Sequence, residues 1–421
     1  MERKQILPGV ALTSAPAEAF KRCRVSLNFL FRGDRATATG YALLPLVMER
    51  GYAACPDMTR LSRRLARLYG AELSVSGGTL GPNRVLTVGV SGIRNEYAVG
   101  GEDLLGEYLE LVFGMAFDPD AADGAFDAQA VRIEKDKLRE LQQSEINDKR
   151  TYCLRQARRR FYGDDVAGLE RYGYAQDLDA ITPQSLYALW RQMVETARLE
   201  VVVLGAPVQP VEQRLRAVLS ARRAPAGLNR PHPMPLRPVL ACSEPVSAVQ
   251  GKLCMLFTMD AALPPQELSK MRMAVALLGG VPTSRLFMNV REKQSLCYYC
   301  SAAYSQLNSC LSIDSGVAFA DADRARDAIL AEIEKLIHGE LPEKELQEAR
   351  RYLCCALESV GDSLPAMENW LMGEISRGTL DTPAQVMQQL QQVTAQDVRD
   401  MLRHFSLSVV YTLSEGGQSH E

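Results

Sequence analysis

Two kinds of apolar pattern run along the chain. "RVSLNFLF", from Arg24, and "GKLCMLFTM", from Gly251, show alternation or continuous apolar character, the two spacings that predict strands packed on one or both faces. Residues 122–148, 322–337 and 341–359 instead return their apolar residues at helical spacing. Tight turns separate neighbouring strands. Mixed patterns of this kind predict an α+β fold in which helices pack on largely antiparallel sheets.

The pattern occurs twice. A shift of 225 residues sets "TRLSRRLARLYGAELSVS", from Thr59, on "SRLFMNVREKQSLCYYCS", from Ser284, so that Leu61 meets Leu286, Leu65 meets Val290 and Leu73 meets Tyr298. The same shift lays "RVLTVGV" from Arg84 on "SCLSIDS" from Ser309, and Leu104 and Leu105 on Ile329 and Leu330. Near the ends of the copies the offset becomes 212, pairing "LDAITPQSLYALW" with "LQQVTAQDVRDML". Each copy then closes on an apolar strand, "RLEVVVLG" or "SLSVVYTL". One offset held across helices and strands marks an internal duplication. Between the copies, residues 222–238 carry five prolines and no periodicity, the mark of a linker. The expected organisation is two homologous domains, 1–221 and 239–421, joined by that Pro-rich segment.

Bulk properties narrow the function. With 47% apolar residues, 24% charged residues and a net charge of −3, the chain is globular and is not built to neutralise nucleic-acid phosphates. "MERKQILPGVALTSAPAEAF" lacks the apolar core of a secretory leader, and runs such as "YALLPLVM" fall far short of a membrane span. The expectation is a cytoplasmic protein with no nucleic-acid or membrane partner, whose ten cysteines stay reduced as small core residues.

Cys297 and Cys300 form a Cys-x-x-Cys. The repeat places them on a strand, where residues three apart point to opposite faces, so the sulfurs are expected to diverge and to act in packing rather than as a redox or metal pair. Gly77-Gly78, Gly100-Gly101 and Gly279-Gly280 lack the Lys-Ser/Thr or the spaced third glycine of a phosphate loop. Arg155, Arg158, Arg159 and Arg160 read as a solvated helix face following an acidic stretch.

The order Gly279, Gly280, Ser284, Leu286, Phe287, Arg291, Glu292, Lys293, Leu296, Tyr298 closely resembles the second domain of the M16 family, which includes pitrilysin, insulinase and mitochondrial processing peptidase. The resemblance extends to the whole chain, because the family unit is itself two homologous α+β domains joined by a linker. Active members carry H-x-x-E-H on a helix of the first domain, two His one turn apart binding zinc and the Glu activating water. With Gly51 as the anchor, those five positions are Ala42, Leu43, Leu44, Pro45 and Leu46. The only histidines are His232, His338, His404 and His420, no two within four residues, so a helical His pair is impossible anywhere in the chain. The family's third ligand is a Glu on a later helix, and Glu140 is the match at a longer spacing than the family's; it reads either as a vestigial ligand position or, the favoured reading, as an exposed helix carboxylate, since a lone carboxylate cannot hold zinc.

The resemblance implies a chain with no catalytic residues and no cofactor of its own. In the family, the Arg and Tyr matched by Arg291 and Tyr298 face the zinc of the other half and hydrogen-bond the bound peptide, a task suited to a guanidinium and a phenol. Gly279 and Gly280 match a glycine-rich substrate loop, here shortened to "GGVP". The implied role is the non-catalytic half of a clamshell around a peptide substrate, paired with a homologous zinc-bearing subunit. More narrowly, "LFMNVREKQSLCYYCSA" resembles the zinc-free member of a bacterial pair associated with 5-aminopentanol modification of elongation factor P. The alternative is an M16-like scaffold or peptide-binding protein with no role in proteolysis. A zinc site built from cysteines finds no Cys pair at ligand spacing with a nearby His.

Overall fold

The computed structural model describes residues 1–219 and 225–416. Its first sheet has six strands in the order Glu2–Leu7, Val10–Ala15, Arg198–Leu204, Arg22–Arg32, Asn83–Ile93, Glu72–Leu80. Arg22–Arg32 runs antiparallel to both of its neighbours, and Val10–Ala15 lies parallel to Arg198–Leu204. The second sheet has the order Leu240–Val246, Phe405–Glu415, Gly251–Met259, Cys310–Val317, Cys297–Ser305. Its one parallel pair, Leu240–Val246 with Phe405–Glu415, falls at the same place. Strand for strand, the second sheet is the first without the outermost Glu2–Leu7. The offset of 225 carries Glu72–Leu80 onto Cys297–Ser305 residue for residue. The two halves are therefore α+β units with mostly antiparallel sheets, as the repeat predicts.

Central strands are buried on both faces, which explains their nearly continuous apolar runs. In Arg22–Arg32, Val25, Leu27, Phe29 and Phe31 face one cluster with Leu43, Leu44 and Phe113, while Leu30 faces another with Val202 and Leu204. Two equivalent helices cover these second faces, and each comes from the other half of the sequence. Leu364–Arg377 packs Leu364, Leu371 and Met372 against Leu30, Val202 and Leu204 of the first sheet and against Ala17 in the loop that follows Val10–Ala15. Lys149–Tyr162 packs Cys153, Ala157 and Phe161 with Cys254, Leu256, Val409 and Tyr411 of the second.

The compact units are thus discontinuous. One comprises residues 1–143, 169–229 and 363–375, and the other 144–168, 230–362 and 376–421. They depart from the contiguous domains expected at 1–221 and 239–421 by the exchange of one helical segment in each direction. The physical reason is that each sheet has two apolar faces to cover, and burial does not depend on which half of the chain supplies the cover.

Of the expected linker 222–238, residues 222–224 lie outside the described residues; the remainder contains no helix or strand. It is tied to the first unit at Asn229, whose N–H donates to Asn83 Oδ1 (2.8 Å) and whose carbonyl accepts from Asn83 Nδ2 (2.9 Å). In the second unit, buried Met234 accepts the Thr258 hydroxyl at 2.6 Å through its carbonyl oxygen. No helix among the described residues is long and apolar enough to cross a membrane.

Candidate functional site

The helix Ala38–Met48 carries the five positions of the zinc motif. Most of its residues are buried, including Leu43, Leu44 and Pro45, so it is apolar nearly all round. Pro45 stands inside it and removes one backbone N–H, a loss normally worth about 3 kcal/mol. The helix persists because packing on both sides holds it, and Glu49 N–H still reaches the Pro45 carbonyl oxygen at 3.0 Å.

Ala42, Pro45 and Leu46 line a cavity of ≈ 220 Å³ together with Phe31, Tyr41, Val75, Ser76, Gly77, Gly78, Arg84, Val85, Leu141, Arg171 and Tyr172. At the three positions that would supply two imidazoles and a carboxylate, the cavity wall is hydrocarbon. These residues do not fit a zinc ion, which requires N, O or S donors. Among the described residues no group of three or more His, Cys, Asp or Glu is arranged to hold a metal. The vestigial position Glu140 is exposed on the helix Ala128–Ser144 and does not line this cavity; its neighbour Leu141 does.

In the second unit, the segment equivalent to the α-helix Met58–Arg67 is Leu286–Lys293, and it is wound as a π-helix. Such winding is rare and recurs at functional sites. It carries Arg291, whose guanidinium lies 4.4 Å from the Phe287 ring centroid and 3.5 Å from Glu292. Both partners of that ion pair are more than a third exposed, so the pair contributes at most about 1 kcal/mol and is easily given up to a ligand. Tyr298, the second residue of the edge strand Cys297–Ser305, has 62% of its surface exposed. The structure thus places two solvent-facing donors on consecutive elements.

The glycines are placed differently from a loop. Ala276–Gly280 forms a π-helical turn, and a Cβ on Gly279 would meet Ala302 N at 2.7 Å, so packing against the edge strand requires glycine there. Gly280 lines a cavity of ≈ 270 Å³ with Met271, Arg272, Tyr304, Leu353 and Arg377 among others.

The Cys-x-x-Cys departs from expectation. Cys297 pairs with Val317 and Tyr299 with Gly316, which leaves Tyr298 as the extra residue of a β-bulge. The bulge resets the alternation, so Cys297 and Cys300 share the buried face while Tyr298 turns outward. The sulfurs converge instead of diverging: hydrogen bonding from Cys300 is the main influence on the Cys297 thiol and brings it down to about 7, against the opposing effect of burial. Periodicity alone could not have found this, because a bulge changes the face without changing the composition.

Residues 180–353 match the family described as peptidase M16 inactive domain. Over that segment the chain is similar to the inactive domain of M16 peptidases, and its two α+β units have the M16-like fold of the solved structures it resembles. It is similar to the probable inactive metalloprotease YmfF of Bacillus subtilis (strain 168), 23% identical over 408 residues that cover 96% of each protein. Among solved structures it is similar to a conserved protein from Enterococcus faecalis V583, with TM-score 0.89 and 23% identity over 100% of this chain and 99% of the other. It also resembles the peptidase M16 inactive domain from Pseudomonas fluorescens, with TM-score 0.77 and 17% identity over 96% and 95% of the two chains.

Proposed function

We propose that this chain is the non-catalytic subunit of a two-part zinc peptidase, in which Arg291 and Tyr298 hold the backbone of a peptide bound by a homologous subunit that carries the zinc. The observation supporting this reading is a contrast between the units. The motif positions of the first are hydrocarbon, at Ala42, Pro45 and Leu46, whereas the second keeps two exposed hydrogen-bond donors, Arg291 and Tyr298. A scaffold has no use for that pair. A peptide carbonyl does, because a guanidinium and a phenol both donate to it and stabilise charge that develops on it. Gly280 extends the peptide-facing surface on the neighbouring turn.

The reading places both subunits in the cytoplasm. On the resemblance of Leu286–Ala302, it extends to an association with 5-aminopentanol modification of elongation factor P. The test is to purify the tagged chain with its partner, measure peptide cleavage, and repeat with Arg291→Ala and Tyr298→Phe. Loss of about tenfold or more in kcat/KM from Arg291→Ala, with the complex intact, is the expected result, as for removal of a charged hydrogen-bond donor. An intact complex with unchanged cleavage would assign the chain to scaffolding.

A further inference from the structure

The cavity over Ala38–Met48 has an unusual charge balance for its place. Its walls are apolar where Phe31, Ala42, Pro45, Leu46, Val75 and Leu141 contribute, and its two charged residues, Arg84 and Arg171, are both cations; none of its lining residues is acidic. Arg84 is 4% exposed, and among the described residues its hydrogen-bond partners are backbone carbonyl oxygens, of Glu170 at 2.7 Å and Arg171 at 3.4 Å. Its Nε is buried without a partner. Burial draws the Arg84 guanidinium down from its ordinary value, and the surrounding Tyr174, Asp34 and Glu170 only partly oppose this. A buried cation offset only by carbonyl dipoles and distant carboxylates is costly to leave uncompensated, and an anion in the cavity would relieve that cost.

Two further features bear on the ligand. Tyr41 lines the cavity and its phenol is pushed up to about 12, mainly by burial, so it remains a donor at neutral pH. Gly77 and Gly78 of the edge strand Glu72–Leu80 line the cavity without side chains of their own. At ≈ 220 Å³ the space is below the range of about 300–1,000 Å³ common for whole small-molecule ligands, and suits one apolar group at the end of a longer molecule.

We infer that this cavity is an anion-binding anchor for the C-terminal residue of a peptide, its free carboxylate held by Arg84 and Arg171 and its apolar side chain seated on Ala42, Pro45 and Leu46. The inference rests on the reading that the chain handles peptides, and it names the end of the peptide that is held. Where an active homologue would place a cation, this chain offers positive charge to an anion.

The test uses the full chain without a partner and fluorescence anisotropy with labelled hexapeptides ending in leucine, each made with a free and with an amidated C-terminus. The free acid is expected to bind about tenfold or more tightly than the amide, and Arg84→Gln to erase that preference, in line with loss of a charge-assisted hydrogen bond. Arg171→Gln, on an exposed side chain, is expected to reduce the preference about threefold without disturbing the fold, and serves as the second variant if Arg84→Gln does not fold. Acetyl-leucine as competitor separates the two sources of a carboxylate. Displacement of the labelled acid by acetyl-leucine supports the pocket. Binding of acetyl-leucine without binding of any peptide keeps the anion site but removes the peptide reading. Equal binding of acid and amide overturns the anchor while leaving peptide binding intact, and binding of neither the acids nor acetyl-leucine overturns it outright.

Discussion

Replacing Arg24 with methionine tests the exchange of helices directly. Arg24 lies on the central strand of the first sheet, and its Nε donates to Glu368 on Leu364–Arg377, a helix contributed by the far half of the sequence. The two side chains are 14% and 8% exposed, and the second carboxylate oxygen of Glu368 is buried without a hydrogen bond. Removing the guanidinium therefore strands a buried carboxylate, a loss of about 3–5 kcal/mol, whereas removing both charges in Arg24→Met/Glu368→Leu leaves an apolar contact of similar volume that is close to neutral. Methionine is chosen because it keeps the aliphatic stem that packs on the sheet. Both tryptophans of the chain, Trp190 and Trp370, belong to this unit, so tryptophan fluorescence in a urea titration reports its transition separately from that of the other unit. The single variant should lower that transition by about 3 kcal/mol or more, and the double variant should recover most of the loss. A single-variant loss below about 1 kcal/mol, or a double variant as unstable as the single, would refute the seating of this helix on the first sheet.

His232 Nε2 donates to the Asp165 carboxylate at 2.8 Å, and the Arg230 carbonyl, followed by Asp165, holds its imidazole above the ordinary value despite some burial. The protonated form thus favours the fold at pH below about 6.5, and this contribution is lost as pH rises through the raised value; an NMR titration should show the elevated midpoint, and Asp165→Asn should bring it down. Cys297 should react with iodoacetamide with a midpoint near pH 7, and Cys300→Ser should move that midpoint upward, as read by mass spectrometry of the alkylated peptide. Gly279→Ala should destabilise the second unit by about 1–3 kcal/mol, because the new methyl meets Ala302; an unchanged Tm would show that the edge strand can yield.

The duplication was legible because equivalent strands must bury equivalent positions. A constant offset in Leu61/Leu286 and Leu73/Tyr298 therefore survives wherever the local geometry is shared. The loss of the zinc ligands was also legible, since four scattered histidines cannot make a helical pair. The exchanged helices were not: the apolar stripe of Lys149–Tyr162 states that the helix packs, but nothing in it names the sheet that receives it. Glu140 is exposed, in keeping with its reading as an ordinary helix carboxylate, and a step of one residue, about 100° around the helix, hands the cavity to Leu141. The bulge at Tyr298 lies beyond periodicity altogether, and it is what brings Cys297 and Cys300 together.

The measurement closest to the central claim is affinity purification of the tagged chain from its native cells, with its companions identified by mass spectrometry. The account predicts near-stoichiometric recovery of a homologous protein that carries H-x-x-E-H and binds zinc. Recovery of the chain alone, or only with unrelated proteins, would contradict it.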